Sequence, residues 1–331
     1  MKLALAGDTM LGRKVGEALA SVPPKSLVAD DVVAVAGEAD VFVLNLECCI
    51  SERGRRWPDP SKPFFFRAPP TAVETLAYLG VDCVTLANNH ALDFGAEALL
   101  DTFEHLERAG IAWVGAGEDL TRARAPVVLA ADGFRLGVVG LADHPGEYAA
   151  AEGRAGIAHA DLREGVPSWL VESVQGTDAD ATLVTPHWGP NMSAKPSRPV
   201  RGAAVGLLEA GATLVAGHSA HVFQGVAGPV LYDLGDFLDD YAVDPVLRND
   251  LGLLFVVTLG RDGPRRLEAV PLKLEFCYTR LAQGEDATWI RRRFRQACEP
   301  FGTEVAEIDE RLVVDLSAAR RRRAGSGTRR R

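Results

Sequence analysis

Short runs of apolar residues alternate along the chain with longer amphipathic stretches. The apolar runs have the length and the β-branched content of strands, and they fall at residues 2–6, 41–44, 81–86, 111–114, 135–141, 181–185 and 212–215. The amphipathic stretches between them have helical spacing and include residues 96–109, 168–174 and 203–210. Strands that alternate with helices predict an α/β protein built in layers.

The second half of the chain adds a pattern typical of antiparallel strands. Apolar runs at 230–234, 253–259 and 267–274 lie close together, and Asp262-Gly263 between the last two is a strong hairpin signal. A closing helix is predicted at 285–300. A mixed sheet, or two sheets packed face to face with helices outside, fits this pattern better than one parallel sheet. We expect a single domain over residues 1–316.

Two proline-rich segments, 57–70 and 186–199, interrupt the pattern as long loops. Loops of this length in a compact domain are usually functional or mobile.

The composition is that of a soluble globular protein, with 47% apolar and 24% charged residues in 331. No apolar run approaches the 18 residues that a membrane span needs. The apolar segment at the N-terminus is too short for the apolar region of a secretion signal. A cytoplasmic location is therefore expected. The five cysteines are scattered and lack CxxC spacing, which predicts buried thiols with no disulfide and no thiolate metal site.

Charge is distributed unevenly along the chain. Residues 317–331 contain seven arginines and no acid, so the net charge of −9 leaves −16 on the rest. Because an acidic protein repels nucleic acid at long range, nucleic acid is a poor candidate for a binding partner. The arginine-rich tail is predicted to be disordered. It is either a tether for an acidic partner or a solvated terminus, and we favour the second.

Polar residues cluster where the predicted strands end. In an open α/β sheet the carboxyl ends of strands line one crevice, so residues far apart in sequence are expected to converge there. The residues in question are Asp8, Asn45, Glu47, Asn88, Asn89, His90, His187, His218 and His221. This mixture of hard oxygen ligands and imidazoles suits Zn, Mn, Fe or Mg.

Each of these signals is weak by itself. Asp8 after a strand is more often a turn residue or a helix cap, and a lone His187 is more often a hydrogen-bonded, partly buried histidine than a ligand. The pair His218 and His221 is stronger, because two imidazoles three residues apart at a glycine turn can face one ion. Five signals at strand ends together favour a metal site. They are Asp8, Glu47, the Asn89-His90 pair, His187 and the pair of His218 and His221.

The motifs resemble those of a known family. They are Gly7-Asp8, Asn45-Leu46-Glu47, Asn88-Asn89-His90, His187-Trp188-Gly189, Gly217-His218-Ser219-Ala220-His221 and Leu234-Gly235-Asp236-Phe237. The series resembles the bacterial capsule-synthesis family of the CapA type, which is associated with poly-γ-glutamate biosynthesis and is similar in fold to calcineurin-like metallophosphoesterases. The resemblance implies a four-layer α-β-β-α sandwich of two mixed sheets with a metal site at the strand ends.

The resemblance also implies roles for individual residues. Asp8 and His221 would bind a first divalent metal, Glu47 would bridge, and the second metal would be held by Asn89, His187 and His218. His90 would protonate the leaving group. The wider superfamily has a histidine two residues after the first aspartate, where this chain has Met10, a poor ligand for a hard cation. The first position therefore keeps Asp8, Glu47 and His221, and one or two ions are expected.

The remaining polar residues are candidates for supporting or substrate-binding roles. Asp236 and Asp93 are placed to orient a histidine, as carboxylates beside ligand histidines usually do, and Asn88 adjoins the implied ligand Asn89. Asp143 and His144 fit a supporting role and an ordinary loop equally well. The cations that can bind an anionic substrate are Arg67, Lys195 and Arg198, although solvated loop charge is slightly the better explanation.

The leading functional hypothesis is a metal-dependent hydrolase. A metal-bound water that loses its proton near neutral pH would attack either the phosphorus of a phosphoester or the carbon of a γ-glutamyl amide. The substrate would be an anionic small molecule or a poly-γ-glutamate-like polymer, and the missing signal segment favours a soluble intracellular one. The alternative, favoured by Met10, is a non-catalytic binding or assembly subunit that keeps the metal site.

Overall fold

The computed structural model describes residues 1–317. The strands of this part are β1 (Lys2–Thr9), β2 (Val41–Leu46), β3 (Cys49–Ile50), β4 (Arg67–Ala68), β5 (Cys83–Thr85), β6 (Ala112–Val114), β7 (Ala116–Gly117), β8 (Val127–Ala131), β9 (Phe134–Ala142), β10 (Gly156–Ile157), β11 (Ala181–His187), β12 (Leu214–Ala216), β13 (Val226–Ala227), β14 (Val230–Leu231), β15 (Asp236–Leu238), β16 (Leu251–Gly260), β17 (Gly263–Glu275), β18 (Tyr278–Leu281), β19 (Ala306–Ile308) and β20 (Arg311–Asp315). The predicted disordered tail lies outside the described residues, apart from Ser317.

The α-helices pack on the outer faces of the sheets or across their edges. They are α1 (Arg13–Leu19), α2 (Asp30–Ala36), α3 (Ala72–Tyr78), α4 (Gly95–Arg108), α5 (Leu120–Arg124), α6 (Ser168–Gly176), α7 (Arg198–Glu209) and α8 (Gly284–Cys298). Short 3₁₀ turns lie at Pro24–Leu27, Gly146–Tyr148, Leu162–Glu164 and Glu299–Phe301. No helix of residues 1–317 is long and apolar enough to cross a membrane.

The strands form two main sheets, and both are mixed. The larger has the order β19-β20-β17-β16-β1-β2-β5-β6, with β15 added beside β1 and β18 beside β17. Its strands β1, β2, β5 and β6 run parallel, whereas β16, β17 and β20 pair antiparallel. The smaller sheet has the order β13-β14-β12-β11-β9-β8, with parallel pairs in the centre and antiparallel pairs at the ends.

The buried clusters show that the molecule has four layers. Alternate residues of β1 face opposite ways, as the pleat of a strand requires: Leu3 and Leu5 belong to a cluster that also contains Val138 and Leu183 of the smaller sheet. Ala4 belongs to a second cluster, shared with α1 to α4. A third cluster packs α6 and α7 against the other face of the smaller sheet. The predicted α-β-β-α sandwich of two mixed sheets is confirmed.

Most predicted elements occur within a few residues of their expected bounds, and the differences have local causes. The hairpin lies where Asp262-Gly263 predicts it, although its two-residue turn is Arg261-Asp262 and Gly260 pairs with Gly263. The strand expected at 230–234 ends at Leu231, because Asp233 bends away to accept hydrogen bonds from backbone amides. Helix α7 starts five residues earlier than expected, since the Ser197 side chain caps it.

Candidate metal centre

The candidate site begins where β1 and β15 run side by side. The two strands pair in parallel with Asp8 opposite Asp236, and the amide of Asp8 donates to the carbonyl of Gly235 at 2.8 Å. Gly7 permits this approach, because a Cβ atom there would lie 1.7 Å from the Gly235 oxygen. Close packing of the two backbones therefore places both carboxylates at one strand end.

Asp8 lies at the centre of a buried polar network. Its carboxylate is 3.3 Å from Nδ1 of His218 and 3.3 Å from Nδ1 of His221, and it accepts a hydrogen bond of 2.7 Å from Asn45. Burial acts to raise the pKa of Asp8, but the two histidines outweigh it and hold that pKa well below its ordinary value. Asp8 is therefore a fixed negative charge in the interior.

Glu47 follows β2 directly and is fully buried. Its Oε2 atom accepts a hydrogen bond of 3.3 Å from the hydroxyl of Tyr241, and lies 3.9 Å from Nδ1 of His221. Its Oε1 atom has no hydrogen-bond partner within residues 1–317. Burial, together with the charge of Asp8, raises the pKa of Glu47 well above its ordinary value. A nearby cation would reverse that effect and stabilise the carboxylate.

The smaller sheet supplies the imidazoles. His187 is the last residue of β11 and forms a parallel bridge with His218, which follows β12. Both ring nitrogens of His187 are buried and have no hydrogen-bond partner among the described residues. Burial lowers the pKa of His187 well below its usual value, so the ring is neutral near pH 7. A neutral, unpartnered imidazole is the form that binds a metal ion.

The turn that carries His218 and His221 has an unusual backbone. Ser219 has φ of 106° and His221 has φ of 58°, both in the left-handed region that non-glycine residues seldom adopt. Asp233 holds the turn by accepting a hydrogen bond of 2.9 Å from the amide of Ala220. His218 is also fixed, since its Nε2 atom lies 3.0 Å from the hydroxyl of Thr185. Strain of this kind persists where the surroundings fix it, often at functional sites.

Within residues 1–317, two groups of three side chains offer donor atoms within 4.8 Å of one another. They are Asp8 with His221 and Asp236, and Asp8 with Glu47 and His187. Asp8 belongs to both, so the groups are adjacent. Carboxylate oxygens with imidazole nitrogens form the donor set expected for Mn, Zn, Fe or Mg.

The segment from Asn88 to Asp93 follows β5 and is the third strand-end segment of the site. Asn88 is buried and structural: it donates to Asn45 and to the Leu46 carbonyl, and it accepts from the amide of His90. Asn89 is half-buried, and its Oδ1 atom is buried with no donor in the part of the chain described. The amide oxygen of Asn89 is therefore available as a ligand.

His90 is held by its neighbours on two sides. Its Nδ1 atom lies 2.6 Å from Oδ2 of Asp93, and its ring stacks on Phe66 with centroids 3.8 Å apart. Its Nε2 atom lies 4.0 Å from Oε1 of Glu47. It is thus directed at the buried cluster of side chains at the strand ends, which consists of Asp8, Glu47, His187, His218 and His221. Burial lowers the pKa of His90 to about 4, although Asp93 opposes the shift.

The supporting residues predicted from sequence are partly brought to the site. Asp236 lies 2.8 Å from Nδ1 of His221. Asp143 pairs with His144 and accepts a hydrogen bond of 3.0 Å from the amide of Gly189. The His144 ring lies beside His187, with centroids 5.5 Å apart.

Within residues 1–317, the predicted substrate-binding cations make their contacts outside the cluster or are exposed. Arg67 stacks over Phe94 at 4.2 Å and donates to the carbonyl of Arg53. Lys195 and Arg198 are exposed. Their loop nevertheless reaches the site, because Ser219 donates to the Gly189 carbonyl.

Several residues that surround the cluster are not predicted from the sequence. Arg13 has its guanidinium 5.4 Å from the ring centroid of Phe66 and 5.8 Å from that of Tyr241. Lys62 pairs with Asp93 at 3.0 Å and donates to the Asn89 carbonyl at 2.7 Å. The proline-rich loop 57–70 was the available signal for Lys62 and Phe66, whereas no local pattern marks Arg13 or Tyr241.

A cleft of about 470 Å³ opens beside the candidate ligand Asn89. Its walls include Trp57, Lys62, Asn89, His144, Glu147 and Tyr148. Of the candidate metal ligands, only Asn89 lines this cleft.

Comparison with known proteins agrees with the motifs and the fold. Residues 2–241 match the family model described as "Bacterial capsule synthesis protein PGA_cap". The chain is 31% identical over 302 residues to a "Probable polyglutamine synthesis accessory protein" of Mycobacterium tuberculosis, covering 85% of this chain and 78% of the relative. It is 27% identical over 283 residues to "Capsule biosynthesis protein CapA" of Bacillus anthracis, covering 83% and 68%.

A solved structure is similar in fold. The crystal structure of a novel phosphatase of Mycoplasma pneumoniae has a TM-score of 0.50 and 13% sequence identity, over 82% of this chain and 93% of that chain. The resemblance drawn from the motifs, a CapA-type sequence on a metallophosphoesterase-like fold, is confirmed.

Proposed function

Because the chain belongs to the PGA_cap family of bacterial capsule synthesis proteins, we propose that it is a divalent-metal-dependent hydrolase of an anionic phosphoester or γ-glutamyl amide. One observation carries the proposal: donor atoms of Glu47, Asn89 and His187 are buried at the strand ends without hydrogen-bond partners in residues 1–317. Buried polar atoms are nearly always satisfied. A bound cation would satisfy these, so the residues fit a metal centre.

The residues that would hold the ions are those brought together at the strand ends. They are Asp8, Glu47, Asn89, His187, His218 and His221. A bound divalent cation supplies Lewis-acid chemistry, which polarises the scissile group and stabilises negative charge in the transition state. The side chains around it fix its position and exclude bulk water, since all of them are buried except half-buried Asn89.

His90 is the residue that would move the proton. Asp93 holds Nδ1, which directs Nε2 toward Glu47 and the cluster. Burial keeps the pKa of His90 low, at about 4, in the free protein. A bound anionic substrate adds negative charge near the ring, which favours the protonated form. His90 would then deliver a proton from Nε2 to the leaving group.

The rim of the site supports an anionic substrate. The Arg13 guanidinium lies over Phe66 and Tyr241, which touch His90 and Glu47 respectively, and its side chain is 33% exposed. Asp240 holds it there at 3.1 Å. Arg13 is thus a partly exposed cation beside the aromatic rings that contact His90 and Glu47, and it would bind a phosphate or a carboxylate.

A second candidate function is a non-catalytic subunit that binds an anionic polymer through the same metal centre. It is favoured by Met10 at a position where the wider superfamily has histidine, and by the word "accessory" in the name of one relative. Poly-γ-glutamate or a similar polymer would be the ligand in this case.

We also propose that residues 1–316 form one domain. Leu3 and Leu316, near the two ends of this range, lie in the same buried cluster. The cytoplasmic location stays a prediction.

The test is a metal-dependent activity screen. Purified protein is stripped with a chelator, reloaded separately with Mn²⁺, Zn²⁺, Fe²⁺ or Mg²⁺, and assayed on phosphoesters and on γ-glutamyl amides. We expect turnover of one class that disappears on stripping and returns on reloading. Stoichiometric metal without turnover of either class would favour the binding subunit, and protein that binds no metal would contradict both.

A further inference from the structure

We propose that Asp236 is a metal ligand, and that it takes the place of the histidine that the superfamily resemblance implies at position 10. This inference rests on the proposed metal centre and specifies the composition of its first position. That position would consist of Asp8, Glu47, Asp236 and His221. The sequence alone predicts a first position weakened by Met10, with Asp236 only orienting a histidine.

Met10 is not available to the cluster. Its side chain is fully buried among the core residues on the helical side of the large sheet. Its sulfur accepts a hydrogen bond of 3.1 Å from the amide of Gly12. A thioether is also a poor ligand for a hard cation. Met10 therefore has a packing role.

Asp236 reaches the same place from the neighbouring strand. It is 1% exposed, and β15 puts it directly opposite Asp8 in a parallel pair. Its Oδ1 atom is 2.8 Å from Nδ1 of His221, which lies 3.3 Å from Oδ2 of Asp8. Donor atoms of these three residues all lie within 4.8 Å of one another, a span that a single ion between them can bridge.

Hydrogen bonding alone does not account for this arrangement. One nitrogen, Nδ1 of His221, faces the carboxylates of Asp236, Asp8 and Glu47 at 2.8, 3.3 and 3.9 Å. It carries at most one proton and can donate it to only one of them well. Oδ2 of Asp236 and Oε1 of Glu47 are buried with no donor from residues 1–317. A cation bound among these carboxylates would satisfy their unpartnered oxygens and offset their negative charge.

The composition of the two positions indicates different metal preferences. Three carboxylates and one imidazole form an oxygen-rich set, which suits Mn²⁺ or Mg²⁺. The other position, with His187, His218 and Asn89, has two imidazoles and suits Zn²⁺ or Fe²⁺. We infer an asymmetric centre whose oxygen-rich position depends on Asp236.

The experiment is a titration of chelator-stripped full-length protein with Mn²⁺. Binding is measured by calorimetry and, independently, from the EPR signal of free Mn²⁺. We expect two ions in the wild type and one in Asp236→Asn, with affinity at the lost position reduced more than about 100-fold. Residues that only orient a ligand typically cost 10–100-fold, so a larger loss identifies a ligand. Asp101→Asn is the matched control, a buried carboxylate that pairs instead with Ser51 and Arg53, and it should bind two ions.

Met10→His separates this proposal from the sequence-based expectation. If Asp236 completes the first position, Met10→His still binds two ions; if the position lacks a ligand, stoichiometry rises from one to two, which overturns the proposal. Unchanged Mn²⁺ affinity in Asp236→Asn also overturns it, while leaving the metal centre and the proposed function intact. Absence of any bound ion in the wild type overturns the proposed function as well.

A measurement on the wild type covers the case in which Asp236→Asn does not fold, as judged by circular dichroism. Crystals grown with Mn²⁺ would locate the ions by anomalous scattering. An ion about 2.2 Å from an oxygen of Asp236, the usual carboxylate ligand distance, supports the proposal. An ion at the Asp8–His221 pair that lies beyond bonding distance of both Asp236 oxygens overturns it.

Discussion

Nδ1 of His90 and Oδ2 of Asp93 lie 2.6 Å apart, and this contact decides which way the histidine ring faces. Asp93 is itself fixed, because it accepts hydrogen bonds from the amide of Phe66 and from the hydroxyl of Tyr148. The remaining ring nitrogen of His90 is thereby left to face Glu47. The geometry therefore separates the residue proposed to transfer a proton from the residues proposed to hold metal.

His90→Ala should therefore slow hydrolysis without emptying the metal centre. We expect kcat to fall by about 10²–10⁴-fold, the usual contribution of a general acid or base, and one limb of the pH–rate profile to disappear. Steady-state kinetics over pH, with metal content measured on the same sample, checks both effects. His105→Ala, a histidine on α4, serves as the control. Loss of metal along with activity would make His90 a ligand or a structural residue.

Gly7→Ala should disrupt the site through the backbone. Its Cβ would lie 1.7 Å from the Gly235 carbonyl oxygen, so β1 and β15 must separate. We expect the free energy of unfolding to fall by more than about 2 kcal/mol, with loss of bound metal. Urea denaturation measures the first effect and metal analysis the second.

Gly202→Ala is the matched control for that prediction. Position 202 lies inside α7, where a new Cβ would meet no atom within 4 Å beyond its chain neighbours and the local helix backbone, so alanine should stabilise the helix by about 0.5–1 kcal/mol. If Gly7→Ala is tolerated as well as Gly202→Ala, the close approach of β15 is not required.

Arg13→Ala should weaken binding of anionic substrates. The guanidinium stands over the rings that contact His90 and Glu47, and a charge-assisted contact of this kind contributes about 1.5–3 kcal/mol. We expect KM to rise by about tenfold or more, with a smaller change in kcat. Arg67→Ala is the control, because Arg67 is stacked on Phe94. Equal effects of the two substitutions would remove Arg13 from the substrate site.

The sequence predicts the layers and most of the cluster because both follow from strand topology. Asp8, Glu47 and His187 end strands of two sheets whose carboxyl edges meet, so their separation in sequence does not matter. Arg13 and Tyr241 could not be predicted in the same way. They reach the site from α1 and from the segment after β15, and their positions depend on tertiary packing that leaves no periodic pattern.

Asp236 shows a different limit of sequence analysis. The sequence predicts only that Asp236 orients a histidine, and the structure places it 2.8 Å from Nδ1 of His221. Its position opposite Asp8 depends on β15, a strand of only three residues. Three residues are too few to show the alternation of apolar and polar positions that predicts a strand from sequence. Arg67 is a residue that the sequence suggests for the site and that the structure places elsewhere. It is a sequence-based candidate for binding an anionic substrate, but its guanidinium packs against the ring of Phe94.

The buried cluster at the strand ends is proposed to bind divalent metal. The most direct measurement is the metal content of purified protein after equilibration with Mn²⁺ or Zn²⁺ and removal of free ions, compared between wild type, His187→Ala and His105→Ala. Both ring nitrogens of His187 are buried without a hydrogen-bond partner in the described residues, whereas His105 lies on α4. We expect stoichiometric metal in wild type and His105→Ala, and loss of at least one ion in His187→Ala. Wild-type protein without metal, or His187→Ala with full metal content, would contradict the proposal.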